Sequence, residues 1–248
     1  MLASIIGHSF MFEAFGLTDS GCVRTNNEDY FINDEESGIF ILADGMGGAK
    51  AGEHASEISA ESLWKFLLAA GAVDGADMME RGFRQANEAV REAAKDDPDL
   101  EGMGTTLVAA RAIGPNEMQI SSVGDSRAYL ASEGKLSVLT HDQTWVAEVG
   151  TKLGLSQETL KSHPMRHVLT MAIGCAEELR VHSQLVSVVS GDQILLCSDG
   201  LHGVVSEEIL GQALFSQKSL TDKCHYLVEA AKGNGGPDNI TVVLIQVV

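Results

Sequence analysis

Cationic side chains are scarce in this chain: 17 Lys and Arg stand against 35 Asp and Glu, a formal charge of −18. That balance excludes non-specific binding to nucleic acid or to an anionic membrane surface, both of which reward clustered Lys and Arg. An uninterrupted apolar stretch of about 18 residues is missing too, so no membrane-spanning helix is expected. The four cysteines (Cys22, Cys175, Cys197 and Cys224) show no C-x-x-C spacing, which argues against a disulfide scaffold and fits a reducing compartment. The opening stretch MLASIIGHSFMFEAFG has no basic n-region and no small-residue cleavage site, so a cytoplasmic protein is expected. Only four prolines occur and no Ser/Gly-rich linker divides the chain. One domain over 13–248 follows, with residues 1–12 as a disordered extension.

What is present is a repeated pattern. Three apolar runs end in an Asp beside a Gly: IFILADGMGG at Asp44, MQISSVGDSR at Asp125 and QILLCSDGLHG at Asp199. A fourth, GGPDNITVVLI, is the mirror image, with Asp238 just before the run. Short apolar runs bounded by Gly or Asp read as buried strands, so each carboxylate is delivered to a strand tip where Gly permits a sharp turn. Four anions brought together repel one another unless a cation lies between them, and an all-oxygen donor set suits Mg²⁺ or Mn²⁺.

The wider pattern places early strands at 13–18, 28–33 and 38–43. Helices follow over Gly52 to Ala70, with Leu63, Phe66, Leu67 and Ala70 on one face, and over Asp74 to Lys95, with Met79, Phe83, Ala86 and Val90. Four strands come next between residues 105 and 139, then a segment of different character at 141–178, strands at 180–189 and 193–198, helices at 206–215 and 219–232, and a final strand NITVVLIQVV. Strands clustered without βα alternation argue for an α+β fold. Runs at 105–110, 194–197 and 240–245 are apolar at nearly every position, so both faces are expected to be covered. A four-layer α-β-β-α sandwich meets that demand, with two mainly antiparallel sheets between helix pairs.

Near the start, TDSGCVRTNNEDYF sets Arg24 four residues before Glu28 and five before Asp29. Alone this is an ordinary surface ion pair. Together with DGMGG at 44–48, GTT at 104–106, GDSR at 124–127, LT-x-D at 139–142, HP-x-R-x-x-LT at 163–170, SDG at 198–200 and PDN at 237–239, it resembles the bacterial type of the PPM, or PP2C-like, metal-dependent protein Ser/Thr phosphatases. The resemblance runs from about Phe15 to Val248.

The resemblance implies roles. Asp44 would bridge two metal ions, and Asp199 and Asp238 would complete the shell of the first. Asp29, with Glu28 and the carbonyl of Gly45, would serve the second, partly through water. Asp125, shared with Asp199, would hold a third, weaker ion. Arg24 matches the phosphate-binding arginine, whose planar fork suits bidentate contact. The ions would be Mn²⁺ or Mg²⁺, and a hydroxide bridging them would attack phosphorus in line, with Asp44, Asp199 and Arg24 as the catalytic set. Substrates would be phosphorylated proteins, opposing a Hanks-type Ser/Thr kinase, and the protein would be a monomer.

Several rival readings fail on the residues. A pseudophosphatase, the same fold serving as a regulatory binding module, predicts lost carboxylates, yet Asp29, Asp44, Asp199 and Asp238 are all present. DGMGGAKAG lacks the G-x-x-x-x-G-K-[ST] of a nucleotide loop, and no EF-hand run occurs. Histidine spacing offers no zinc site. In eukaryotic relatives a His follows the DG and serves as the proposed general acid; here Met46 stands there and donates no proton. His54, on the following helix, reads as a surface histidine. Residues 141–178 match the family's flap, in which His163 and Arg166 are expected to fasten the flap to the scaffold. Where relatives carry a basic residue after LT, this chain has Met171.

Overall fold

The computed structural model of the chain describes residues 12–47, 51–70, 77–95, 97–114, 116–150, 152–154 and 156–248. Its strands are β1 (Phe12–Asp19), β2 (Asp29–Asp34), β3 (Ile39–Met46), β4 (Gly104–Thr105), β5 (Leu107–Gly114), β6 (Glu117–Val123), β7 (Arg127–Ser132), β8 (Lys135–Val138), β9 (His182–Ser187), β10 (Gln193–Cys197) and β11 (Ile240–Val247). The helices are α1 (Ala51–Ala70), α2 (Met78–Lys95), α3 (Gln157–Ser162), α4 (Asp199–His202), α5 (Glu207–Leu214) and α6 (Leu220–Gly233).

Two sheets form, ordered β1-β11-β10-β7-β8 and β2-β3-β5-β6-β9, with β4 attached to the end of β3. Every named pairing is antiparallel. The strand period of two explains why the central strands are apolar throughout. On β3, Ile39, Ile41 and Ala43 join a core under α1 and α2, while Phe40 and Leu42 point into the space between the sheets. The same alternation runs along β11, where Val242 and Leu244 meet α5 and α6 and Val243, Ile245 and Val247 face the other sheet. Three apolar layers therefore hold four layers of structure, the expected α-β-β-α sandwich.

Of the α1 stripe, Leu63 and Leu67 are fully buried, and all four residues of the α2 stripe are. Ala51, Gly52, Ala55 and Ser56 bury the first turns of α1; these small side chains let the helix start close against the tip of β3. Element ends shift by a few residues from the sequence reading, and two of the shifts bear on the bounds of larger units. Phe12, placed in the extension, is a buried residue of β1 paired with Val247; residues 1–11 lie outside the described residues. The start of the second helix at 74–76 also lies outside them, and the described helix begins at Met78. Among the described residues no helix is long and apolar enough to cross a membrane.

The segment 141–178 contains a π-helical turn at Val146–Gly150 and the short α3. Its return path is tied to the scaffold: Thr105 and Ile173 form a bridge, and Asn87 on α2 accepts from Gly174 N at 2.8 Å and donates to Ala176 O at 3.0 Å. Glu148 takes both guanidinium nitrogens of Arg180 at 2.9 and 3.0 Å and the Thr170 hydroxyl at 2.8 Å. Met171, in the place of the basic residue, packs against the α1–α2 core.

Candidate metal centre

The strand tips meet at one cleft of about 980 Å³, lined by Arg24, Glu28, Asp44, Gly45, Asp125, Asp199 and Asp238 among others. Register brings Asp44 opposite Asp29 across β2 and β3. Asp44 is held from behind, its N–H donating to Thr106 Oγ1 at 3.0 Å. The Gly after it is obligatory, because a Cβ on Gly45 would lie 2.1 Å from Gly52 O and 2.6 Å from Glu28 O.

Asp29 lies beneath the cleft rather than on its wall. One oxygen, Oδ2, accepts from Ser198 Oγ at 2.9 Å and Thr241 Oγ1 at 2.6 Å. The other, Oδ1, is buried with no hydrogen-bond partner. Glu28 is the neighbour that reaches the wall. Its N–H donates to Asn239 Oδ1 at 2.8 Å, and Asn26 Nδ2 donates to its Oε1 at 3.1 Å. Asn239 thereby joins the PDN turn to the segment carrying Arg24 and Glu28.

Electrostatics follows from this crowding. Burial, then the charges of Asp29, Asp199, Asp125 and Asp238, hold the Asp44 carboxyl well above the usual carboxylate range. Burial pushes Asp29 up to about 7, against the pull of the Thr241 and Ser198 hydroxyls. Burial and then Asp199 and Asp142 push Asp125 up to about 8. Asp199 is raised by burial and by Asp238. One cation relieves part of this strain: Arg24 Nη2 donates to Asp238 Oδ2 at 2.7 Å, across 214 residues of sequence.

These residues fit a hard divalent ion on two counts. The donors are carboxylates and the Gly45 carbonyl, and an orphaned anionic oxygen at Asp29 sits beneath them. Among the described residues no three His, Cys, Asp or Glu side chains are drawn into a closed ion-binding group. The carboxylates instead ring an open cleft, the arrangement of a cation that keeps several waters.

The flap adds residues that the motif reading missed. His167 lines the cleft with Nδ1 at 3.9 Å from Asp199 Oδ2, and Arg166, expected as a flap fastener, lines the cleft as well. His163 stacks its ring on Trp145 at 4.5 Å and 12°, a contact within the flap itself. His54 is exposed on α1, outside the cleft lining. Thr106 was visible only as part of GTT; its service to Asp44 requires the β3–β4 contact. A second cavity of about 580 Å³ shares Asp125, Asp199, Arg166 and His167 and adds Arg127, Asp142 and His202. There Arg127 grips Asp142 through two bonds at 2.9 and 2.6 Å, and burial followed by the Arg127 charge pushes His202 down to about 4.

Comparison with known proteins places this geometry. The sequence profile of protein phosphatase 2C matches residues 23–244. The serine/threonine phosphatase stp of Listeria welshimeri is 37% identical over 238 residues, covering 92% of this chain and 93% of its own. The crystal structure of the catalytic domain of the serine/threonine protein phosphatase PstP, in complex with 2 manganese ions, superposes with a TM-score of 0.85 at 34% identity, covering 96% of this chain and 98% of that one. PppA of Pseudomonas aeruginosa, described as a key regulatory component of T6SS, gives 0.84 at 31% identity over 96% and 98%.

Proposed function

The chain belongs to the protein phosphatase 2C family, and from that premise we propose how its own residues perform metal-dependent hydrolysis of phosphoserine and phosphothreonine in proteins. Asp44 would stand at the centre, with Asp199 and Asp238 holding one ion and Glu28, Asp29 and the Gly45 carbonyl a second. Asp125 and Asp199 would hold a third and weaker one, with Mn²⁺ or Mg²⁺ as the ions. When bound, such ions supply a water acidified to act near neutral pH and positive charge against the phosphoryl oxygens. The protein's share is to make the site ready. Asp29 contributes charge from below without occupying the cleft, since its Oδ2 is held by two hydroxyls. Thr106 fixes Asp44 from its main chain.

Arg24 pairs with Asp238 at the cleft wall. Its guanidinium is suited to fork around two oxygens of a phosphoryl group, the geometry a planar donor favours. Met46 donates no proton, so the leaving alkoxide takes its proton from another group in the cleft. The observation that carries the reading is the placing of Asp44 among four further carboxylates at one cleft. A purely binding module gains nothing from that repulsion and loses stability to it.

Phosphoprotein substrates imply an opposing Ser/Thr kinase of the Hanks type in the same compartment, the cytoplasm on this reading, with the phosphatase acting as a monomer. The deciding test is hydrolysis of a phosphothreonine peptide with Mn²⁺ and with EDTA. Activity is expected only with the metal, and undiminished turnover in EDTA would refute the reading.

A further inference from the structure

We propose that His202 is a positioning residue that locks Asp125 and Asp199 at one separation, on behalf of a cation held between those two carboxylates. The proposal rests on the metal-dependent reading above and concerns a residue outside its ligand set.

Asp199 opens α4 and His202 closes it, one helical turn later, so the two side chains ride on the same short rigid piece. From there His202 Nε2 reaches the main-chain carbonyl of Asp125 at 2.9 Å. A carbonyl only accepts, so Nε2 carries the hydrogen and donates it. The bond ties the helix leaving β10 to the turn that passes from β6 in one sheet to β7 in the other, just beyond the last β7–β10 pair, Arg127 with Cys197.

That turn is gripped from its opposite side by Gln143, at the base of the flap. Gly124 N donates to Gln143 Oε1 at 2.8 Å and Gln143 N returns a bond to Gly124 O at 3.0 Å. Gly124 itself has φ of +96° and lies against Thr106, where a Cβ would meet Thr106 Cγ2 at 2.7 Å. The main chain of Asp125 is thus fixed on both flanks, one of them by the helix that carries Asp199. Asp125 and Asp199 face one cavity, and wherever both are ionised they drive their supports apart. α4 is poorly equipped to resist, since it spans only four residues and its N-cap Ser198 makes no side-chain capping bond. Beyond the end of the β7–β10 ladder the imidazole bond supplies further resistance, and it sets a spacing that a cation shared by Asp125 and Asp199 would meet ready-made.

The experiment is Mn²⁺ titration followed by electron paramagnetic resonance of free ion, with circular dichroism as the fold control. It uses the full chain as wild type, His202→Gln, His202→Leu and Asp44→Asn. Wild type is expected to take up two tight ions and one weaker one. His202→Leu keeps the bulk and loses the donor, and should weaken the third ion about tenfold or more while the tight pair stays within about threefold. His202→Gln, whose amide N–H can reach the same carbonyl, should recover most of the third-ion affinity. Equal third-ion binding in wild type and His202→Leu, or equal losses in Leu and Gln, would overturn the proposal. So would a wild type with only two ions, which leaves the phosphatase reading standing. Failure of wild type to bind any ion, or tight binding that survives Asp44→Asn, would instead sink the reading itself. If His202→Leu does not fold, His202→Asn, too short to reach Asp125, takes its place beside Gln, with the same two outcomes deciding.

Discussion

Removing a charge from this centre should make the metal-free protein more stable, and Asp29→Asn shows the effect most cleanly. Asp29 has its carboxyl raised from 3.8 to about 7 in the folded protein, first by burial. The folded state therefore keeps a proton that the unfolded chain has already lost. The Asp29 contribution to wild-type stability falls as pH climbs from about 4 to about 7 and is level beyond. A rise of about three pK units corresponds to at most about 4 kcal/mol. Asn removes this cost while its carbonyl still accepts from Ser198 and Thr241. In EDTA at pH 8 the variant should melt several degrees higher, since about 1 kcal/mol moves Tm by roughly 2–4 °C at this size. Near pH 4 the gap should shrink toward zero. With saturating Mn²⁺ the order should reverse, because ligand binding stabilises only the chain that binds tightly. A wild type more stable than the variant in EDTA at pH 8, or a gap indifferent to pH, would refute the electrostatic argument.

Arg24→Ala removes a single 2.7 Å ion pair whose side chains are 46% and 32% exposed, so the metal-free Tm should move by no more than about 1 kcal/mol allows. KM for a phosphopeptide should rise about tenfold or more in steady-state assays. Gly45→Ala drives a Cβ onto the Gly52 carbonyl and should cost about 1–3 kcal/mol in urea titrations, with weaker Mn²⁺ uptake because the Gly45 carbonyl shifts.

The layered fold was legible because strand period and helix period are both written in apolar spacing. Phe40 and Ile41 face different cores, and only burial on both sides makes such a run apolar throughout. Asp44, Asp125, Asp199 and Asp238 were legible as strand tips flanked by Gly or an Asn turn. The choice between Glu28 and Asp29 was not: Asp29 pairs with Asp44 yet gives its carboxylate to Ser198 and Thr241 beneath the cleft, while Glu28, just before β2, lines the wall. α4 is too short for a periodic signal. His167 and Arg166 owe their place to the fold of the flap, whose turns and stacked Trp145–His163 pair leave no repeating pattern in the chain. The Arg24–Asp238 contact, made by residues at opposite ends of the sequence, depends on the pairing of β1 with β11.

The most direct test of the account is Asp44→Asn, measured twice on one preparation: Mn²⁺ affinity by calorimetry and kcat on a phosphothreonine peptide. Loss of the central carboxylate should abolish tight Mn²⁺ binding and lower kcat by orders of magnitude, with the fold intact by circular dichroism. Tight Mn²⁺ binding and near wild-type kcat in that variant would contradict it.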